Sequence, residues 1–251
     1  MEKKKALILA LIFTFLIANF LYFFKIIEEE NVELEKVKLK RAIDGDTLEL
    51  EDGRVVRMLN INTPEKKENY YKEAKDFTKI FENKTLSFLF LGKDKYDREL
   101  AKVYYQDTYI NLELVNNGLA VKFLVQDSEK ELFDNSEKNA LKNSLGLWKK
   151  SDFFGCLDSE IKPSEEILII KNKCDSLDLS NWLLRDESRK KYIFSDIKLS
   201  KNEMIKIKSG KGADSSADVS WKIGDVWNND KDTIYIFDKD GQIVYHKSYG
   251  Y

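Results

Sequence analysis

The sequence is poor in the residues that most often build catalytic and metal centres. Its 251 residues include one histidine, His246, two cysteines and two prolines. This inventory does not support a four-ligand zinc site of the Cys/His kind. A histidine-based triad would have to be built around His246, close to the C-terminal end. Catalytic acids, bases and metal ligands are therefore expected to be carboxylates, and anion-binding groups to be arginine and lysine.

Length and charge leave the class of partner open. A chain of 251 residues suits one large domain or two ordinary ones. The formal net charge of -2 is compatible with a local basic cleft that binds nucleic acid. The hydrophobic share of 43% and the charged share of 34% are those of an ordinary folded protein.

A long apolar run dominates the N-terminal region. Residues 6–24 read ALILALIFTFLIANFLYFF, with three lysines just before the run and three glutamates shortly after it. This length matches the ~30 Å hydrocarbon core of a bilayer, and the lysines favour an N-terminus inside the cell. We predict that residues 1–30 form a membrane anchor, with a cleaved signal segment as the alternative. Either case places the remaining chain outside the cytoplasm, at the cell membrane or secreted.

The predicted compartment bears on the two cysteines, Cys156 and Cys174. Outside the cytoplasm a pair of cysteines more often forms a disulfide than a reactive site. We therefore predict a Cys156–Cys174 disulfide that closes a short loop near a domain junction. Two unpaired, partly buried thiols are the alternative.

Strands with interspersed helices are predicted from residue 36 to residue 150. The strand patterns are VKLKRAI, TLELED, RVVRMLNI, TLSFLFLG and ELAKVYYQ, with EDGR as a hairpin turn. Helical patterns follow in YYKEAKDFTKIFEN, YINLELVNNG and SEKELFDNSEKNALKNSLGLW. Five strands with such helices predict a small Greek-key barrel of the OB type, whose open face often binds oligonucleotides.

The remaining chain predicts a second domain made of strands. Residues 151–166 have no clear period and contain Pro163, so we assign them to a linker. Residues 167–251 carry short β-like runs separated by turns, without a helical pattern. This arrangement is typical of an antiparallel β-sandwich.

Two aspartates in the segment AIDGDTLEL, Asp44 and Asp46, raise the question of a metal site. An Asp-Gly pair alone is most often a turn. The segment RMLNINTPE, however, adds Asn62, Thr63 and Glu65 at or beyond the end of the next strand. Calcium accepts carboxylate, amide and main-chain carbonyl oxygens, so this set of residues suits it.

Several segments together carry a resemblance to a known family. They are AIDGDTLEL, VRMLNINTPE, YYKEAKDFTK, DKYDRELAKVYY, LVNNGLAV and SLGLW. In order and spacing they resemble the staphylococcal nuclease (thermonuclease) family over residues 36–150. The resemblance implies an OB-type barrel with three helices. It also implies calcium-dependent cleavage of phosphodiester bonds in DNA and RNA.

The resemblance further implies a calcium site. Asp46 would be a direct ligand, Thr63 would bind through its main-chain carbonyl, and Asn62 would be the third ligand. The family usually has aspartate where this chain has Asn62. An amide oxygen still coordinates calcium but brings no charge, so we expect a lower affinity. Asp44 would shape the loop or support the ligands from behind.

The matching catalytic residues complete the implied site. Glu65 would orient or deprotonate the attacking water, while Arg57 and Arg98 would hold the scissile phosphate. Lys95 and Tyr96 match family positions near the substrate. The stretch GLAVKFLVQ lacks the tyrosines that stack on the nucleotide base in the family. Since stacking is worth roughly 1–3 kcal/mol per base, nucleotide binding is expected to be weaker or differently supported.

The C-terminal residues carry a second resemblance. The segments are LDLSNWLLRDESRKKYIF, LSKNEMIKIKSG and DVWNNDKDTIYIFDKDGQIVYHKSY. They resemble the lamin tail domain, an immunoglobulin-like sandwich, which implies that Trp182 is a core residue but implies no chemistry. DKDGQ is interpreted as a hairpin turn, because the twelfth position from Asp238 is Tyr249 and not the glutamate of an EF-hand.

The sequence thus predicts a membrane-anchored extracellular nuclease that acts on DNA, RNA or both. The alternative is a catalytically inactive surface protein that binds nucleic acid or mediates adhesion. Retention of Arg57, Glu65 and Arg98 favours the enzyme, because a binding protein does not need a base between two phosphate clamps. Asn62 and the missing tyrosines favour the alternative.

Overall fold

The computed structural model describes residues 34–210 and 217–251, together with Thr14 and Ile17. The predicted anchor, residues 1–30, lies outside the described residues apart from those two positions. Within the described part of the chain, no helix is both long and apolar enough to cross a membrane.

The first domain contains eight strands and three helices. Its strands are β1 (Glu35–Ala42), β2 (Thr47–Leu50), β3 (Val55–Met58), β4 (Ile61–Asn62), β5 (Thr85–Lys93), β6 (Glu99–Tyr105), β7 (Thr108–Tyr109) and β8 (Val121–Lys122). Its helices are α1 (Tyr71–Lys79), α2 (Ile110–Asn116) and α3 (Lys130–Lys142). The three predicted helices and five main predicted strands are all present.

Five of these strands close into a barrel. Strand β1 pairs antiparallel with β2 and β5, and β6 pairs antiparallel with β5. Strand β3 pairs with β2 on one side and, in parallel, with β6 on the other, which closes the ring. The interior is apolar because alternate strand residues point inward, among them Leu39, Leu48, Val56, Phe88 and Val103. The predicted OB-type barrel is confirmed.

Two glycines allow the chain after α2 to cross the chain after α3. Gly118 and Gly146 both have positive φ angles, of 67° and 49°. A Cβ on Gly118 would lie 2.2 Å from the carbonyl oxygen of Leu145, and one on Gly146 would lie 2.3 Å from that of Gly118. Both positions therefore require glycine for conformation and for space.

The described residues of the second domain form ten strands. They are β9 (Leu157–Lys162), β10 (Ile167–Asn172), β11 (Ser176–Asp178), β12 (Leu183–Arg185), β13 (Lys191–Ile193), β14 (Lys198–Ser200), β15 (Met204–Ser209), β16 (Val219–Trp221), β17 (Asp232–Phe237) and β18 (Ile243–Tyr249). Two four-stranded sheets have the orders β16-β15-β10-β9 and β13-β12-β17-β18, and β11 pairs with β14. The predicted immunoglobulin-like sandwich is confirmed, with Trp182 buried in its core.

The linker is shorter than the sequence predicts. Residues 157–162, assigned above to a linker, form β9, which pairs with β10 from Leu157 to Lys162. This is an edge strand, and its sequence LDSEIK buries only its first residue fully. A solvated edge strand lacks the apolar alternation on which strand prediction depends.

The two domains are packed against each other. A separate apolar cluster joins Leu147 and Trp148 of the first domain to Tyr235, Phe237 and Ile243 of the second. The amide of Ile243 donates to the carbonyl of Lys149 at 2.9 Å. Because these side chains are buried, the relative placement of the domains is set by a packed interface.

Cys156 and Cys174 form a disulfide across a sequence separation of 18 residues. Cys156 is buried, and Cys174 packs against the sandwich core. Replacing both by serine is expected to lower the free energy of unfolding by about 2–4 kcal/mol, because the unfolded chain gains freedom. Denaturant unfolding of the double variant, beside the wild type with and without reductant, measures this effect. Equal unfolding midpoints in all samples would contradict it.

Candidate active site

The IDGDT loop joins β1 to β2 and lies directly on the segment that follows β3. Gly45 is buried there, and a Cβ on it would lie 2.8 Å from the side chain of Thr63 and 2.9 Å from Cβ of Ala74. The amide of Asp46 donates to Oδ1 of Asp44 at 3.1 Å, which fixes the turn. The glycine between the aspartates thus permits the loop to approach Thr63 closely.

Replacing Gly45 by alanine is expected to displace Thr63 by several tenths of an ångström. Misplacing catalytic groups by about 1 Å can cost 10²-fold in rate, so we expect cleavage to fall by about tenfold or more. The matched control is Gly224→Ala, where a Cβ meets no atom within 4 Å and the backbone is not in the left-handed region. Both variants are compared by cleavage rate and by thermal unfolding. Equal cleavage rates in the Gly45→Ala variant and in the wild type would contradict the prediction.

Asp46 is the buried centre of the site. Its Oδ2 accepts the Thr63 amide at 2.7 Å and lies 3.2 Å from Nη2 of Arg57. Its Oδ1 accepts the Thr47 hydroxyl at 3.2 Å. These contacts bring together three residues that the sequence predicts for the site, Asp46, Arg57 and Thr63.

Arg57 is buried near the end of β3, and its guanidinium group donates hydrogen bonds to several oxygens. Nη1 donates to the Met58 carbonyl at 2.5 Å, and Nη2 donates to the Ile61 carbonyl at 2.8 Å and to Oδ1 of Asn62 at 2.5 Å. Burial lowers the pKa of Arg57, and the charge of Asp46 opposes that shift. The guanidinium group stays charged, because arginine is not deprotonated in proteins.

The two aspartates of the loop differ in their surroundings. Burial raises the pKa of Asp44 to about 6, and the negative charge of Asp46 adds to this shift. The Asp44 carboxylate accepts the Asp46 amide. Asp44 therefore shapes the loop from behind Asp46.

Glu65 lies at the rim of the site, with 60% of its side chain exposed. Its amide donates to Oε2 of Glu68 at 2.7 Å, and Glu68 also forms an ion pair with Lys191 of the second domain. The carboxylate is accessible to water, which the role of base expected from the sequence requires.

Arg189 of the second domain reaches the same place, although the sequence does not predict it. Its Nη2 donates to Oδ1 of Asn62 at 2.9 Å, and its Nη1 donates to the Thr63 carbonyl at 3.3 Å. Nη1 also donates to the Glu65 carboxylate. Nothing in the segment DESRKK marks this residue, because its place depends on how the domains dock.

Arg98, Lys95 and Tyr96 lie apart from these oxygens. Nε of Arg98 donates to Oδ2 of Asp94 at 2.8 Å, while Lys95 and Arg98 both stack on the exposed ring of Tyr96. Arg98 is near enough to contribute to the lowered pKa of Arg57. The loop is thus next to the site, but its side chains do not touch Asp46, Asn62 or Glu65.

The oxygens around Arg189 suit a hard cation such as calcium. They comprise an amide oxygen, a main-chain carbonyl and a carboxylate, with the Asp46 carboxylate beside them. The guanidinium group of Arg189 places a positive charge among these oxygens. No cluster of three or more His, Cys, Asp or Glu side chains in the described ranges could hold a metal. A site here would therefore depend on Asn62 and Thr63 as well as on carboxylates.

The only histidine of the chain lies away from this site. His246 packs on Trp148 at 4.9 Å between ring centroids, and its Nε2 lies 3.1 Å from Glu137. It belongs to the interface between the domains. The ionisable groups that meet at the site are the carboxylates of Asp44, Asp46 and Glu65 and the guanidinium groups of Arg57 and Arg189.

Comparisons with known proteins found a family match for each of the two domains. Residues 55–150 match the family described as Staphylococcal nuclease homologue, and residues 157–251 match the Lamin Tail Domain. The chain is 33% identical over 138 residues to an "Uncharacterized endonuclease" of Haemophilus influenzae, covering 53% of this chain and 77% of that relative. It is 36% identical over 134 residues to the "Thermonuclease" of Staphylococcus intermedius, covering 48% and 80%. An "Uncharacterized endonuclease" of Escherichia coli O157:H7 is 31% identical over 120 residues, covering 46% and 78%.

Proposed function

Because the chain belongs to the staphylococcal nuclease homologue family and is a nuclease hydrolase, we propose that it cleaves DNA or RNA with the help of calcium. The observation that carries the proposal is the convergence of Asp46, Arg57, Asn62, Thr63 and Glu65 at one end of the barrel. Asp46, Asn62 and the Thr63 carbonyl are the proposed calcium ligands. When bound, calcium supplies positive charge beside the phosphate oxygens.

The residues of the chain perform the proton transfer and the positioning. Glu65 takes a proton from the attacking water, whose oxygen forms a bond to phosphorus as the ester P–O bond breaks. The leaving oxygen takes up a proton from solvent. Arg57 donates to the phosphate with the N–H groups that do not bind the Met58 and Ile61 carbonyls, and it stabilises the charge that develops there. Arg98 is proposed as a second clamp, which requires it to turn from Asp94 towards the substrate.

We also propose that the protein works outside the cytoplasm, anchored by residues 1–30. The disulfide supports this location, because disulfides persist in oxidising compartments. Digestion of intact cells by an added protease tests it. The domains are expected to be degraded without lysis, and full protection until lysis would contradict the proposed location.

The proposed chemistry is tested on the full-length chain in mild detergent. Single- and double-stranded DNA and RNA are incubated with millimolar calcium, with other divalent ions and with chelator. We expect cleavage with calcium and none with chelator. Undiminished cleavage in chelator would contradict the proposed use of calcium, while the nuclease assignment itself would stand.

A further inference from the structure

Arg189 contacts two of the three proposed calcium ligands and the proposed base. The three acceptors are Oδ1 of Asn62 at 2.9 Å, the Thr63 carbonyl at 3.3 Å and the Glu65 carboxylate. Two of them belong to proposed metal ligands, and the third belongs to the proposed base. Since a guanidinium group has donors only and is always charged, it competes with any metal ion for these atoms.

The loop that carries Arg189 is held in a defined shape. Oδ1 of Asp186 accepts the Lys190 amide at 2.7 Å, and Oδ2 of Asp186 accepts the Ser188 hydroxyl at 2.5 Å. Arg189 itself has a φ angle of 73°, in the left-handed region that non-glycine residues seldom adopt. Such conformations persist where the surroundings enforce them. The turn between β12 and β13 therefore presents Arg189 in one direction.

The same loop is attached to the first domain on both sides of Arg189. The carbonyl of Glu187 accepts Nδ2 of Asn62 at 2.9 Å. Lys191 forms an ion pair with Glu68. Arg189 is thus delivered to the site by flanking contacts as well as by its own.

Beside Arg57, the charges of the site favour either a second guanidinium group or the metal ion, but not both. The carboxylates of Asp46 and Glu65 pair with the guanidinium groups of Arg57 and Arg189, and Asp44 and Arg98 add one charge of each sign nearby. Adding a divalent cation would leave an excess of positive charge in a partly buried site, where screening by salt is weak. One guanidinium group must therefore withdraw for calcium to bind well.

Arg189 is the group that can withdraw. Its side chain is 22% exposed and lies on a surface loop. The side chain of Arg57 is only 10% exposed and is tied to the main-chain carbonyls of Met58 and Ile61. Removing Arg57 from its place would leave two carbonyl groups without those donors.

We infer that Arg189 is a further residue of the nuclease site, which the second domain contributes as an internal competitor of the divalent cation. With Arg189 in place, the Thr63 carbonyl and the Glu65 carboxylate are paired with it, and Oδ1 of Asn62 accepts from Arg189 in addition to Arg57. The second domain thereby sets the calcium concentration at which the nuclease works. This inference rests on the proposed calcium site.

The test measures calcium binding directly, by isothermal titration calorimetry of the full-length chain in mild detergent. Arg189→Gln is expected to bind calcium at least about tenfold more tightly than the wild type, in the range of ordinary coupling between sites. Lys222→Gln removes the same charge from an exposed position of the same domain and is expected to bind as the wild type does. The calcium concentration for half-maximal cleavage is expected to fall in parallel for Arg189→Gln alone.

A second measurement needs no variant. Calcium is expected to increase hydrogen exchange of the amides in residues 186–190 of the wild type, because the contacts of Arg189 are released. Equal calcium affinity of the wild type and Arg189→Gln, together with unchanged exchange, would overturn the inference and leave the calcium site standing. Absence of calcium binding in every variant would overturn the calcium site and the inference together.

Discussion

Replacing Glu65 by glutamine is expected to lower the rate of DNA cleavage by about 10²–10⁴-fold, the usual contribution of a general base. Glutamine has nearly the same shape as glutamate but cannot accept the proton of the attacking water. The side chain is largely exposed, so the fold is expected to tolerate the change. Single-turnover cleavage with saturating calcium isolates the chemical step from binding.

The control for this variant is Glu73→Gln on α1. Glu73 is exposed, lies near Glu65 in sequence and is not assigned to the site. Its replacement by glutamine removes the same negative charge as the Glu65→Gln change. We expect Glu73→Gln to cleave at the wild-type rate. A wild-type rate in the Glu65→Gln variant would show that another group takes the proton.

Replacing Arg57 by lysine is expected to be nearly as damaging, with a loss of about 10²–10³-fold in cleavage rate. Lysine keeps the positive charge but loses the planar fork that matches phosphate oxygens. The same change is expected to lower the free energy of unfolding. The Met58 and Ile61 carbonyls would lose a buried donor, and an unsatisfied buried group costs about 1–3 kcal/mol.

Rate and stability are separated by measuring both in one series. Arg54→Lys is the control, since Arg54 pairs with Glu35 and Asp52 at the surface. We expect this control to keep its cleavage rate and nearly all its stability. If Arg57→Lys unfolds at a lower temperature yet cleaves normally when folded, the phosphate is held by other residues.

The local pattern of the sequence was sufficient for most of the first domain. Alternating apolar residues and Asp-Gly or Gly turns mark the barrel strands, because each strand buries one face in a core of its own. The segments around Asp46, Arg57 and Glu65 carry the family resemblance, since the chemistry demands those residue types at those strand ends. The length and the flanking charges of the apolar run at residues 6–24 were likewise sufficient to predict a membrane anchor or a signal segment.

Two features depended on contacts that local pattern does not encode. Strand β9 was missed because an edge strand faces solvent and carries charged residues. The position of Arg98 beside Asp94 arises from a loop whose conformation the spacing does not specify.

Sequence alone therefore predicted an OB-type barrel that carries carboxylates and arginines at one site, followed by a sandwich. The tertiary structure alone decided that the sandwich takes part in the site. Arg189 is separated from Glu65 by 124 residues. They meet because aromatic residues such as Trp148 and Tyr235 pack between the domains. Such docking depends on the complementary shapes of the two domain surfaces, and each surface forms only when its domain has folded.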